Sequence, residues 1–303
     1  MLEIIKKWLK INTDGWMKYL AAPEIQRYDT YDSLSCTTQA VLNSLEMQFN
    51  YLLENKKLNK EWLQDKGYIK DGKVQFSKRY IARLSGTSRS GNWIRNVNEA
   101  VLQYGLVPEI LYDYKHADTW DEYYKEIKPT LKEIGKEFLK HFDIAVSWKL
   151  KQDFKEEIKK SPGSVVVYAW ASKNGVYYKP KNKTTNHAVS LIDLKGDNYI
   201  IKDSYPPWTK EVNQFIGAGY FYKLMTIKED LTKWILDNDL KTIRNSETGE
   251  IGYCVHGVLA TLPTIEEKMN AIMDMRNRGL TSSGVDITDY LWKKLPKKRF
   301  KEL

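Results

Sequence analysis

An α+β fold is predicted for this 303-residue chain, because the spacing of its apolar residues changes character near residue 164. Before that point the spacing is helical. Val41, Leu45, Phe49 and Leu52 recur every three or four positions after the turn-forming run Asp32-Ser33-Leu34-Ser35, which predicts a helix over 36–53. A second helix is expected over 93–104 after Gly91-Asn92, and a charged one near 120–141. Another is expected near 151–160, stopped by Pro162-Gly163. From 164 onward the chain reads as strands: Val165 to Trp170, 187–194, 198–204 and Tyr220 to Met225. No long internal repeat or low-complexity segment interrupts this order.

Cys36 stands at the start of the first helix. A thiol there faces unpaired backbone N–H groups and the positive end of the helix dipole, so gain of acidity is the expectation. Far downstream, Lys195-Gly196-Asp197 is a turn signal between two strands. Folding the chain about Gly196 sets His187 roughly opposite position 205, so Asp203 shares its face about 7–8 Å away on the diagonal. An imidazole within reach of a thiol takes its proton, and a carboxylate on the second ring nitrogen fixes the tautomer.

These residues carry a resemblance. Ser35-Cys36 opening a helix, Asn186-His187-Ala188-Val189 opening a strand, and Ile201-Lys202-Asp203-Ser204-Tyr205 ending the next resemble the papain-like (C1-type) cysteine peptidases. The order Cys, His, Asn/Asp is the same, as is the long gap before the His. The resemblance covers roughly residues 20 to 225. It implies a two-lobed fold, a helical lobe holding the nucleophile and a β lobe holding the His and Asp. It further implies Cys36 as nucleophile, His187 as general base and Asp203 as the residue orienting it. Ser90-Gly91 is similar to the glycine segment that binds substrate backbone, which makes Gly91 a candidate substrate contact. The family usually has Asn where Asp203 stands, and Trp where Tyr205 stands, with Trp208 as a possible substitute. Its oxyanion-hole Gln lies six residues before the Cys; position 30 here is Thr, and Gln26 is the nearest candidate. Divergent sequences of tailed bacteriophages resemble the chain more closely, through Pro23-Glu24-Ile25-Gln26, Asp29-Thr30, Gly86-Thr87 and Gly105-Leu106-Val107-Pro108-Glu109.

Composition narrows the partners. Hydrophobic residues make up 42% and charged residues 29%, ordinary for a globular protein. The net charge of +9 comes from Lys, which outnumbers Arg 39 to 9. That ratio argues against a dedicated nucleic-acid reader, because Arg does most bidentate recognition. A solvated Lys-rich surface is the plain reading, and attraction to an anionic cell-wall polymer, nucleic acid or acidic protein the sharper one. Two cysteines, Cys36 and Cys254, make no disulfide framework, and both are expected reduced. No apolar run reaches the roughly 20 residues of a membrane span. The start, Met1 to Lys10, is amphipathic and lacks a signal peptide's apolar core, which suggests a host-cytoplasmic or virion protein. Only 35 residues precede Cys36, so no long inhibitory propeptide is expected.

Three segments follow from this: a lead-in at 1–25, a papain-like domain at 26–228 and an accessory module at 229–303. The last carries a hairpin over Lys241–Val255 with a Ser-Glu-Thr-Gly turn, a helix near 264–278 and a Lys-rich tail, and is expected to attach to virion proteins. Cys254 and His256 share a strand face, but two ligands are too few for zinc. His116 and His141 are expected at the surface, and the 20 Tyr and 10 Trp read mainly as packing. No cofactor is implied. The expected function is a thiol peptidase acting on protein or peptide. A cell-wall amidase acting on peptidoglycan peptides and a non-catalytic particle protein that kept the fold are the other two readings.

Overall fold

The computed structural model describes residues 15–20, 25–113, 117–167, 172–173, 176–177, 185–212, 218–226, 241–255, 258–262, 284–287, 292–293, 295 and 297–299. His116, His256, the helix expected near 264–278 and most of the lead-in lie outside the described residues. Among the described residues a 3-10 turn at Met17–Tyr19 precedes α1 (Cys36–Glu54) and α2 (Lys60–Asp65), then the short hairpin β1 (Ile69–Lys70) and β2 (Lys73–Val74). Helices α3 (Lys78–Leu84), α4 (Ile94–Tyr104), α5 (Trp120–Tyr123) and α6 (Pro129–His141) follow, then β3 (Phe142–Leu150) and α7 (Phe154–Glu157). The strands after these are β4 (Gly163–Val167), β5 (Ser172–Lys173), β6 (Val176–Tyr177), β7 (His187–Lys195), β8 (Asn198–Lys202), β9 (Thr209–Val212) and β10 (Ala218–Thr226). Among the described residues these are followed by β11 (Thr242–Asn245), β12 (Ile251–Val255), β13 (Val258–Thr261), β14 (Gly284–Ile287) and β15 (Lys297–Arg299).

The architecture is mixed α+β, with helices where the spacing predicts them at 36–53 and 93–104 and strands at 187–194, 198–204 and 220–225. The helix expected near 151–160 is a 3-10 turn followed by the short α7, and residues 168–170 of the strand expected at Val165–Trp170 lie outside the described residues. The charged stretch near 120–141 breaks in two because Pro129 occupies the first turn of α6. Sequence periodicity missed α2 and α3, which are short and held by caps. Asn59 Oδ1 accepts the Trp62 N–H at 3.0 Å, and Ser77 Oγ accepts the Tyr80 N–H at 3.1 Å.

The chain divides into two compact units. The first comprises Met1–Val97, Val107–Ile127 and Lys149–Tyr222. Its sheet runs β10-β4-β7-β8-β9-β6-β5, antiparallel except for the β6–β9 pair. Helix α1 packs on β7 and β4. Every residue from Thr37 to Asn50 is buried, so α1 is a core helix and not the one-faced helix its spacing suggests. Several of its polar side chains find partners on neighbouring elements. Ser44 Oγ donates to Gly163 O at 3.1 Å, and Ser190 Oγ donates back to Ala40 O at 2.9 Å. Asn50 Oδ1 accepts the Val74 N–H at 2.7 Å. Buried Glu46 is ion-paired with buried Lys78 at 2.5 Å. Such bonds fix where the helix sits along the sheet, because sliding it would leave buried donors and acceptors unpaired.

Register in the β7–β8 hairpin decides which residues share a face. Next to the turn, Lys195 pairs with Asn198, Leu194 with Tyr199 and Asp193 with Ile200. Continued unbroken, that register would set His187 opposite position 206 and Asp203 on the other face. A β-bulge at Ile192 shifts it by one, so Leu191 pairs with Ile201 and Ser190 with Lys202. His187 then falls opposite 205, and Asp203 comes onto its face. The main chain at the bulge is tied down from upstream: Trp16 N–H donates to Ile192 O at 3.2 Å, and Trp16 Nε1 donates to Ile158 O at 2.6 Å. Gly15, at φ +68°, lies so close to Asp193 that a Cβ there would meet its carboxylate at 2.1 Å.

The second unit comprises Asn98–Leu106, Lys128–Trp148 and Lys223–Leu303. Its strands run β15-β13-β12-β11-β14-β3. The expected hairpin is there, as β11 antiparallel to β12. Ala145, Ile243, Cys254, Leu259, Val285 and Ile287 belong to its core. Arg244 is held by Asp286 at 2.7 and 3.0 Å and by Glu99 at 3.0 Å. Gly105, at φ +70°, passes so near Gly135 that a Cβ would meet its carbonyl oxygen at 1.8 Å. This unit takes two segments from inside the stretch assigned above to the papain-like domain, so the sequence boundary at 228 does not coincide with a break between compact units. The reason is pairing: β14 bonds β3 on one side and β11 on the other.

Trp16 belongs to the core cluster of the first unit, with Met47, Val189 and Ile192, so the described part of the lead-in is structural. Trp16→Ala is expected to lower stability by about 3–5 kcal/mol, the range for truncating a buried aromatic. Urea denaturation measures this, and a loss below about 1 kcal/mol would show the segment to be dispensable.

Candidate active site

The loop before α1 is built to present Cys36. Leu34 adopts a left-handed conformation at φ +53°, unusual for a branched residue. Asp32 Oδ1 holds it by accepting the Leu34 N–H at 2.8 Å. Ser33 Oγ donates to Gln26 O at 2.9 Å and lies 2.8 Å from Ser35 Oγ. Cys36 is the first residue of α1 and is half-buried. At that position its own N–H has no partner within the helix. The sulfur lies within hydrogen-bonding reach of the backbone N–H groups of Thr37 and Ala188. Ala188 adjoins His187, so the thiol sits beside the start of β7.

His187 opens β7 and is buried. Its Nε2 lies 2.7 Å from Asp203 Oδ1. With a carboxylate accepting there, Nε2 carries the proton and Nδ1 keeps its lone pair. Asp203 Oδ1 also accepts the Tyr205 N–H at 3.1 Å. The Tyr205 ring stands 5.3 Å from the imidazole, and its hydroxyl donates to Asp32 Oδ2 at 2.6 Å. Trp208 contributes its backbone here, accepting the Asp203 N–H at 2.8 Å.

Gln26 is buried, and both ends of its amide are engaged. Oε1 accepts the Ser204 hydroxyl at 2.9 Å, and Nε2 donates to Asp32 Oδ1 at 3.1 Å. One Nε2 hydrogen remains beyond that bond. Gly91, expected to contact substrate backbone, bonds within its own turn. Its N–H and C=O are both taken by Ser88, at 2.9 and 3.1 Å, in a tight turn at φ +82°. A backbone that has closed on itself offers little to a substrate backbone.

Three residues that sequence reading passed over complete the site. Asp32 joins the nucleophile loop to Tyr205 and Gln26. Tyr124 donates to Ser33 O at 2.6 Å and is hydrogen-bonded to the Thr87 side chain. Lys210, on β9, donates to Asp203 Oδ2 at 2.5 Å and to Tyr205 O at 3.0 Å. Only Lys210 left a signal in the sequence. Residues 210 and 212 are the inward positions of a strand, and a lysine there needs a buried anion.

Burial dominates the electrostatics. It pushes the Cys36 thiol up to about 11, against the Ala188 and Thr37 N–H groups and with help from Asp32 and Asp203. The expected gain in acidity from the helix terminus is therefore outweighed by desolvation. Burial, seconded by Lys210, pushes His187 down to about 3, while Asp32 pulls the other way. Asp203 is raised by burial and held back by Lys210 and the N–H groups of Tyr205 and Ser204. Thiol and imidazole thus rest neutral. Among the described residues no group of three or more His, Cys, Asp or Glu is placed to hold a metal.

No protein-family model matches the chain, and no curated protein matches its sequence. Among solved structures it is similar to the Carica candamarcensis cysteine protease CMS1MS2 in complex with E-64. That likeness has 15% identity and a TM-score of 0.45, over 69% of this chain and 96% of the other. It is also similar to xylellain, a cysteine protease from Xylella fastidiosa, at 16% identity and a TM-score of 0.40, over 70% of this chain and 89% of the other. At that level of likeness, the chemistry must be argued from the side chains.

The buried neutral imidazole has a consequence for acid stability. His187 falls from 6.5 when unfolded to about 3 when folded, so the unfolded chain binds the extra proton between those values. Stability is therefore full above pH 6.5 and lost as pH falls toward 3. The slope contributed is at most about 1.4 kcal/mol per pH unit. Denaturant titrations of the wild type and His187→Gln between pH 7 and 4 are expected to diverge in that direction; parallel curves would place His187 in a wetter setting.

Proposed function

We propose that this protein is a cysteine peptidase in which Cys36 attacks, His187 moves the proton and Asp203 orients His187. The observation that carries this is the 2.7 Å bond from His187 Nε2 to Asp203, with the thiol at the start of α1 lying against the next residue of β7. That bond leaves Nδ1 as the proton acceptor. As Sγ bonds to the carbonyl carbon of a substrate amide, its proton passes to Nδ1. The carbonyl oxygen takes up the negative charge, with the Cys36 N–H and the second Nε2 hydrogen of Gln26 as its donors. Collapse breaks the C–N bond, and His187 returns the proton to the departing amine. Water, deprotonated by His187, then cleaves the thioester and restores the thiol. Asp32 keeps the Gln26 amide turned, by accepting its other hydrogen. No cofactor enters this sequence of steps.

Protein or peptide is the proposed substrate class. The association with bacteriophage particles rests on the sequence resemblance through Pro23-Glu24-Ile25-Gln26 and Gly105-Leu106-Val107-Pro108-Glu109, with attachment through 229–303. One observation favours the non-catalytic reading: the burial that keeps the Cys36 thiol protonated at rest.

Incubation with an unfolded polypeptide and with purified cell wall, beside Cys36→Ala, separates these readings. Release of peptides from polypeptide by the wild type alone is the expected result. Release only from cell wall would identify an amidase, and no release from either a particle protein. Gln26→Ala is expected to lower turnover about 10²–10³-fold, as for loss of one oxyanion donor. Unchanged turnover in that variant would remove Gln26 from the mechanism.

A further inference from the structure

The structure assigns Lys210 the role of charge partner to Asp203: it cancels the carboxylate's charge and leaves one oxygen free to hold His187. This positioning role rests on the reading of His187 as the mobile base. Asp203 uses its two oxygens differently, Oδ1 toward His187 and the Tyr205 N–H, Oδ2 toward Lys210. The two side chains are almost fully buried, at 0% and 3% exposure. Strand geometry makes the meeting obligatory. Lys210 pairs with Ile201 across β8–β9 and Asp203 N–H bonds Trp208 O, so Lys210 and Asp203 are diagonal neighbours on one face.

An uncompensated carboxylate at this depth would stabilise the imidazolium strongly, and a base that holds its proton too tightly is slow to return it to a leaving amine. Asp32 pulls His187 in the same direction. Lys210 opposes both. A carboxylate neutralised on its far side offers the imidazole an acceptor oxygen and little net charge, which is what a carboxamide offers. The papain-like peptidases that the sequence resembles usually carry Asn at this position. Asp203 and Lys210 together thus stand in for a single neutral side chain. The charged groups acting on His187 are Asp203, Lys210 and Asp32, with the Tyr205 ring beside them and the Cys36 thiol against the backbone of Ala188.

Imidazole NMR titration of His187 in a Cys36→Ala background reads this without requiring activity. Lys210→Met should move the His187 titration upward, and Lys210→Arg should leave it near the parent. The double variant Asp203→Asn with Lys210→Met should bring it back. With Cys36 intact, Lys210→Met should lower turnover about 10–100-fold, the range for losing a partner that orients a functional group. The double variant should recover at least about 10-fold over either single change, because each single change strands a buried charge. An unmoved titration in Lys210→Met, or a double variant no better than Lys210→Met, would overturn the assignment. If Lys210→Met fails to fold, a folded double variant with parental titration supports it, and a double variant that also fails to fold refutes it. Failure of the peptidase reading shows separately, as absence of hydrolysis by the wild type.

Discussion

One extra residue in one strand determines whether this site exists. A two-residue turn at Gly196-Asp197 fixes a register that puts Asp203 on the wrong face of the sheet for His187, and the bulge at Ile192 reverses that parity. The 2.7 Å bond, the ion pair behind it and the position of Tyr205 all follow from the reversal. A bulge disrupts the ladder locally, and here its carbonyl is satisfied by Trp16 from the far end of the chain.

The other half of the site rests on a helix that is unusual in being both polar and buried. Ser44, Asn50, Glu46 and Gln48 on α1 lock it to its surroundings, so its first residue has a fixed height above β7. The loop ahead of it holds Leu34 in a left-handed turn secured by Asp32. Asp32 then reaches across to Tyr205 and Gln26, which makes it the carboxylate common to the nucleophile loop and the base loop. The same enclosure that orders these groups keeps thiol and imidazole uncharged at rest.

Much of this was legible in the residues. Helical spacing after Asp32-Ser33-Leu34-Ser35 located the start of α1; folding about Gly196 paired His187 with the right position, but the bulge at Ile192 that gives this register left no sign in the residues. Spacing could not show that α1 is enclosed on every side, because Gln39, Asn43, Glu46 and Gln48 look like a solvated face until their surroundings are known. Tyr124 gave no signal, since its bond to Ser33 joins parts of the chain with nothing in common locally. Residue type alone singles out Gly91, and its backbone bonds to Ser88 are visible only in the fold. Residues on both sides of 228 belong to one compact unit in which β3 pairs with β14, and pairing over such a separation leaves no trace in composition.

The order in which these parts leave the ribosome is itself informative. Gln26, Asp32 and Cys36 are made early, while His187, Asp203 and Lys210 come from the region beyond residue 186. Trp16, among the first described residues, cannot reach the Ile192 carbonyl until β7 has been synthesised. A nascent chain therefore carries Cys36 without His187 while all the residues between them are being made. On the reading proposed above, Cys36 gains its base, and the base its carboxylate, only once β7, β8 and Asp203 have been synthesised.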